Sequence, residues 1–190
     1  MLTEMVKSAE TIAIGGHVRP DGDCVGSCLG VYLYLKKHFP DKQIHVYLES
    51  IPDVFHFLKG SEDILHEIPA DKVYDLFILL DCGDAQRLGF SAPLFERAKT
   101  SFCIDHHVSN QAFATENYIE PEASSTCELV YHLLGSDQIS EEIAECLYVG
   151  IVHDTGVFRH SCTHPSTMCA AADLMGKGIP FTKIITETFD

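Results

Sequence analysis

The sequence predicts an α/β fold: a mainly parallel sheet flanked by helices on both faces, with a more helical C-terminal half. Two patterns carry this prediction. Short apolar runs alternate with stretches of helical periodicity through the first half of the chain, as strands joined by crossover helices require. The most apolar run, Asp75 to Cys82 (DLFILLDC), is hydrophobic without alternation and ends in a carboxylate, which suits the centre of a parallel sheet covered on both sides. At 190 residues and 46% apolar content the chain has the length of one domain with a core of its own, and it is not a disordered or low-complexity segment.

In chain order, Thr11-Ile12-Ala13-Ile14-Gly15 reads as a buried strand, and Val25 to His38 as a helix with Leu29, Tyr32 and Leu33 at helical spacing. Gln43 to Leu48 (QIHVYL) reads as a second strand. Thr100 to Ile104 (TSFCI) is another, running directly into Asp105. Ser125-Thr126-Cys127-Glu128 fits a capping box, Ser at the N-cap and Glu three residues on, opening a helix through Leu134 that Gly135 stops. Ser140 caps a helix whose Ile143, Ala144, Leu147, Tyr148 and Ile151 form one stripe. A last helix runs from about Pro165 to Gly176.

Charge and cysteine usage bound the function. Thirteen Lys and Arg against 28 Asp and Glu give a formal net charge of −15. Long nucleic acid is held by a broad cationic face that releases phosphate counterions, so no long nucleic-acid partner is expected and any such contact should be short and local. The eight cysteines, at 24, 28, 82, 103, 127, 146, 162 and 169, include no C-x-x-C pair, and a chain of this length needs no disulfide framework. The opening residues lack a basic region followed by a long apolar stretch, and no run of about 18 apolar residues occurs. The expectation is a reduced cytoplasmic protein with no membrane contact and cysteines packed mainly as small core residues.

Four clusters of potential metal ligands stand out: His17-Val18-Arg19-Pro20-Asp21-Gly22-Asp23 after the first strand, Asp81 at the end of the most apolar strand, Asp105-His106-His107 after the strand at 100–104, and His153-Asp154-Thr155-Gly156 at a helix end. Singly, each reads as a turn or a cap. Three of the four follow strands, however, and in open α/β sheets ligands bind outside the carboxyl ends of strands, so these side chains would meet in one crevice. Clustered carboxylates resist joint ionisation without a counter-charge, which divalent cations supply. Carboxylate and imidazole ligands without thiolate favour Mn²⁺ over structural zinc, and six ligands suffice for two ions if one Asp bridges. Cys24 and Cys82 lie beside the ligands and are expected to pack rather than coordinate. Three of the four arginines, Arg19, Arg87 and Arg159, lie within six residues of a proposed ligand. Arg suits bidentate phosphate contacts, expected of Arg19 and Arg159, while Arg87 is as well explained by pairing with Asp84. Phe158 is either a base-stacking residue or part of the core.

Together, His17-x-x-Pro20-Asp21-x-Asp23-x-x-Gly26-Ser27, Asp81, Asp105-His106-His107 and Asp154-Thr155-Gly156-x-Phe158 resemble the DHH phosphoesterase superfamily. The stretches GHVRPDGDCVGS, LLDCGDAQRLG, IDHHVSN, PEASSTCEL and GIVHDTGVFRH look like its nanoRNase/pAp-phosphatase branch, and the resemblance covers essentially the whole chain. It implies two Mn²⁺ ions, with Mg²⁺ or Co²⁺ as substitutes. His17, Asp21 and Asp81 would hold one, and Asp23, Asp81, His106 and Asp154 the other, with Asp81 bridging. It further implies a two-metal-activated hydroxide as nucleophile, His107 facing the scissile phosphate and Asp105 orienting a neighbour. Gly26 and Ser27 would lie where a helix N-terminus meets phosphate. Implied substrates are very short RNA and 3′-phosphoadenosine 5′-phosphate (pAp). Alternatives are a cyclic or linear dinucleotide phosphodiesterase, an inorganic pyrophosphatase, or a non-catalytic metal- and nucleotide-binding module. A homodimer stays open. Members of the superfamily carry a C-terminal substrate-binding domain (DHHA1). Residues 1–190 are read as the catalytic domain alone, with that second domain absent.

Overall fold

The structure, a computed structural model, describes residues 2–189. Six strands, β1 (Thr11–Gly15), β2 (Gln43–Tyr47), β3 (Ile64–Leu65), β4 (Leu76–Leu80), β5 (Thr100–Asp105) and β6 (Glu116–Ile119), form one sheet in the order β3-β2-β1-β4-β5-β6. Every neighbouring pair is parallel. The α-helices are α1 (Leu2–Ser8), α2 (Gly22–His38), α3 (Ala92–Arg97), α4 (Thr126–Leu134), α5 (Glu141–Asp154), α6 (Pro165–Gly176) and α7 (Phe181–Phe189). This is the parallel α/β architecture the sequence predicts. Helix α2 begins three residues before the expected Val25, because the Asp21 carboxylate caps it by accepting the Asp23 and Cys24 backbone N–H groups.

The sheet is buried on both faces, which explains why β4 has no polar position. Ile12, Ile14, Leu76, Ile78, Leu80, Phe102 and Ile104 point into the larger core beside Val25, Leu29, Val130, Leu147 and Ile151 of α2, α4 and α5. Ala13, Phe77, Leu79 and Cys103 point the other way, into a smaller core closed by Leu88, Leu94 of α3, Tyr47 and Tyr74. Strands β3 and β6 escape the apolar pattern because they are edges. The first has two residues, and the second, Glu-Asn-Tyr-Ile, is only partly buried.

Helices α2 and α5 lie in close contact through small residues. Gly22, Gly26 and Gly30 recur every four residues on α2, where a Cβ would meet His153, the Cys146 carbonyl and Leu147 respectively. At Gly26 the added carbon would stand 2.3 Å from that backbone oxygen, which cannot rotate away. From α5, Gly150 reciprocates, its absent Cβ leaving room for the Cys127 sulfur and the Asp23 carboxylate. The pairing is antiparallel and sets the N-terminus of α2 beside the C-terminus of α5.

Helix α4 starts as predicted, with the Ser125 hydroxyl accepting the Glu128 N–H. The other half of the box differs. Glu128, 2% exposed, turns its carboxylate to the N–H and hydroxyl of Ser124 and to the Thr167 hydroxyl of α6. Burial works to raise its pKa, but these hydrogen bonds outweigh it and hold the carboxyl below its usual range.

Two outcomes are expected. Gly26→Ala destabilises the fold by roughly 1–3 kcal/mol through overpacking, whereas Gly176→Ala, with open space at its Cβ, leaves it unchanged or slightly more stable; urea unfolding reads both. Glu128 contributes stability that is fully present above the unfolded glutamate pKa and lost as pH falls through its depressed folded value. Glu128→Gln should therefore cost roughly 1–3 kcal/mol at neutral pH, with the gap to wild type closing in acid, in melts recorded across that range.

Candidate metal centre

All six residues proposed as metal ligands meet at the carboxyl end of the sheet. His17 follows β1, Asp81 follows β4, and His106 follows β5, three adjacent strands. Asp21 and Asp23 come from the start of α2 and Asp154 from the last turn of α5, ends that the glycine contacts hold together. Asp81 stands in the middle. Its Oδ2 lies 3.3 Å from His17 Nε2, and its Oδ1 lies 3.6 Å from His106 Nε2. His17 Nε2 also reaches Asp21 Oδ1 at 3.6 Å, and His106 Nε2 reaches Asp154 Oδ2 at 3.1 Å and Asp23 Oδ2 at 3.7 Å. The two oxygens of Asp81 thus face two separate groups of side chains.

Surrounding groups fix these orientations. Asp23, 1% exposed, accepts the Thr126 and Cys127 N–H groups at 2.7 and 2.8 Å, so the N-terminus of α4 holds its carboxylate. The Thr126 hydroxyl donates to Asp81 Oδ1 at 3.2 Å. His17 Nδ1 donates to the Val18 carbonyl at 2.8 Å, which leaves Nε2 for the carboxylates. Asp105 is fully buried and accepts from His107 Nδ1 at 2.6 Å and Asn110 Nδ2 at 2.7 Å, so it positions His107. His160 Nδ1 donates to the Asp154 carbonyl, and the Thr155 hydroxyl closes the same turn by donating to Ile151 and accepting from Phe158. Thr126, Asn110 and His160 were not singled out by sequence reasoning. They lie in the PEASSTCEL, IDHHVSN and GIVHDTGVFRH stretches, and Thr126 also in the capping box, but none of these patterns marks them as acting on the centre.

Backbone strain gathers at the same place. Among the described residues five non-glycine residues have positive φ, and four of them border the centre: Arg19 (53°), Asp81 (54°), Val157 (56°) and Phe158 (62°). A β-branched residue such as Val157 is a true outlier there, and each such residue costs on the order of 1–3 kcal/mol, so the surrounding packing must impose it. Phe158 is partly buried against the core, in line with the simpler of its two readings.

The electrostatics fit cations. Burial, then the charges of Asp81 and Asp154, raises the Asp23 carboxyl well above its ordinary value; burial and Asp81 likewise raise Asp154. Burial would lower the imidazoles, yet their carboxylate neighbours lift His17 to about 11 and His106 to about 10. No Lys or Arg pairs with these carboxylates among the described residues, and an all-oxygen and imidazole set of this kind suits hard or borderline divalent ions.

Ser27 departs from expectation. It lies five residues inside α2, is fully buried, and donates its hydroxyl to the Cys24 carbonyl, so it cannot face a phosphate. Gly26 serves the contact with α5 for the same reason: the helix starts at Gly22 rather than near Val25. Arg19 and Arg159 are exposed at the rim. Glu49 pins the Arg19 backbone N–H, and Arg159 Nε donates to the Gly156 carbonyl. Asp84 caps Gln86 and Arg87 through their backbone N–H groups. Cys82 is buried in the smaller core.

The DHH family, N-terminal domain, matches residues 11–151. A Thermus thermophilus protein named bifunctional oligoribonuclease and PAP phosphatase NrnA is 30% identical over 190 residues, covering 97% of this chain and 56% of the relative. Its Bacillus subtilis namesake is 25% identical over 198 residues, covering 100% and 61%. This chain therefore spans a little over half the length of these relatives. A crystal structure of an exopolyphosphatase-related protein from Bacteroides fragilis superposes with a TM-score of 0.89 at 30% identity, covering 99% of this chain and 58% of that one. With the family match over most of its length, the chain belongs to the DHH family.

Proposed function

We propose that this domain is a metal-dependent phosphoesterase acting on short oligoribonucleotides and on pAp, with two Mn²⁺ ions as cofactors. The observation that carries the reading is the placement of Asp81, whose two oxygens face His17 with Asp21 on one side and His106 with Asp23 and Asp154 on the other. These are the two ligand groups of the proposal, with Asp81 shared. When bound, the ions supply positive charge to the phosphoryl oxygens and acidify a water at neutral pH.

The chain's own residues do the rest. Asp105 keeps a proton on His107 Nδ1 and raises its pKa, leaving Nε2 of this half-buried ring to hydrogen-bond a phosphoryl or leaving oxygen. Arg19 and Arg159 at the rim offer guanidinium donors to phosphates. The names of the relatives support the choice of substrates, and a surface of net charge −15 suits a molecule with few phosphates.

Adding Mn²⁺ to chelator-stripped protein should raise the melting temperature by mass action, and Asp81→Asn should abolish that rise. Phosphate release from pAp, run beside a labelled dinucleotide RNA, a cyclic dinucleotide and pyrophosphate, tests the substrate. Turnover of the first two alone, lost in chelator, supports the proposal. Turnover confined to either of the others supports that activity instead, and silence on all four with Mn²⁺ still bound overturns catalysis by this domain alone. His107→Asn should lower turnover by roughly 10²–10⁴-fold while the Mn²⁺-dependent melting shift is retained, which separates its role from metal binding.

A further inference from the structure

We infer that Cys24 gives the centre a second donor set, selective for thiophilic cations, in which its thiolate joins His17 Nε2 and the Asp81 carboxylate to hold an ion such as Zn²⁺ or Cd²⁺. This rests on the reading of His17 and Asp81 as ligands and departs from it at the third position. One ligand atom from each of the three residues lies within 4.8 Å of the others. Three such triads occur among the described residues, and this is the one with every member buried: Cys24 at 0%, His17 at 5% and Asp81 at 2% exposure.

Asp21, the third member of the oxygen-donor set, is different. It is exposed, and its Oδ1 caps α2 by accepting from Asp23 and Cys24. Cys24 lies in the first turn of α2, one residue after Asp23, and is fully buried. Gly16, at the exit of β1, makes room for the sulfur: a Cβ there would stand 2.4 Å from it. The sulfur has only weak partners, the His17 carbonyl at 3.9 Å and the thiol of Cys28. Exchanging them for a cation breaks no strong hydrogen bond, but burial holds the thiol well above its ordinary range, which restricts the exchange to strongly thiophilic ions.

The exchange balances simply. The thiol releases its proton as the sulfur–metal bond forms, giving a thiolate ligand, one H⁺ and no redox change. Thiolate, imidazole and carboxylate together select Zn²⁺ or Cd²⁺ over Mn²⁺. The consequence is a centre that takes Mn²⁺ through oxygen and imidazole donors but is captured by a thiophilic ion through sulfur, so such ions should displace Mn²⁺ and inhibit.

Cys162 and Cys169 are not fully buried and could bind cadmium at the surface, so the test uses C162S/C169S protein stripped with chelator. Titration with Cd²⁺ is followed by the ultraviolet thiolate-to-cadmium charge-transfer band. The expected result is a band saturating at one ion per chain, lost on adding Cys24→Ser or Asp81→Asn, while the Mn²⁺ melting shift survives Cys24→Ser. Absence of the band in the parent, or its survival in Cys24→Ser, overturns the inference. Survival in Asp81→Asn overturns its location. Cadmium NMR of the parent reads one sulfur among nitrogen and oxygen donors without any substitution, so a misfolded variant does not blunt the test. A parent that shows the cadmium band but no Mn²⁺ shift contradicts the proposed function and leaves this inference standing.

Discussion

The geometry of the centre depends on how closely α2 can approach α5. Asp23 lies in the first turn of one helix and Asp154 in the last turn of the other, and His106 Nε2 reaches both. Larger residues at 22, 26 or 150 would push the helices apart at the end where these carboxylates sit. Because α5 also contacts α4, the same packing brings the N-terminal N–H groups of α4 onto the Asp23 carboxylate. One steric condition, a small-residue seam between two helices, thereby sets three of the elements that surround the site, α2, α4 and α5.

The second condition is electrostatic, and it opposes the first. Packing draws Asp23 and Asp154 beside Asp81, where burial and like charge disfavour the ionised form of both carboxyls. The N-terminus of α4 and the imidazoles relieve part of this, and protonation relieves more. The strained backbone at Asp81 and at 157–158 is a further cost met by the surrounding core. A fold that accepts such costs at one place concentrates them where cations can offset them, which is why the cluster reads as a binding centre rather than as a set of turns. Arg19 and Arg159 stay exposed at the rim and leave the carboxylates of the interior without a guanidinium partner.

Much of this was legible in the sequence. Strands β1, β2, β4 and β5 announce themselves as apolar runs because they are covered on one or both faces, and the positions just after three of them carry the chemistry. Helices α4, α5 and α6 carry their start signals at Ser125, Ser140 and Pro165. What stayed hidden depends on three-dimensional proximity. The edge strands β3 and β6 bury too little to leave an apolar pattern. Gly26 and Ser27 invite a phosphate-loop reading in a linear sequence, and only the start of α2 at Gly22 turns them into buried packing residues. Thr126 and Asn110 act on carboxylates 45 and five residues away in sequence, contacts that no local pattern encodes. The burial of the Cys24 sulfur uses the space left at Gly16, which spacing does not reveal.

The central claim is that the side chains converging on Asp81 hold two divalent cations between them. Anomalous X-ray scattering from crystals soaked in Mn²⁺ tests it most directly, because it locates the ions without reference to activity or to substrate. The account predicts two manganese peaks on either side of Asp81, roughly 3.5–4 Å apart, one toward His17 and one toward His106. A single peak, or peaks away from Asp81, would contradict it.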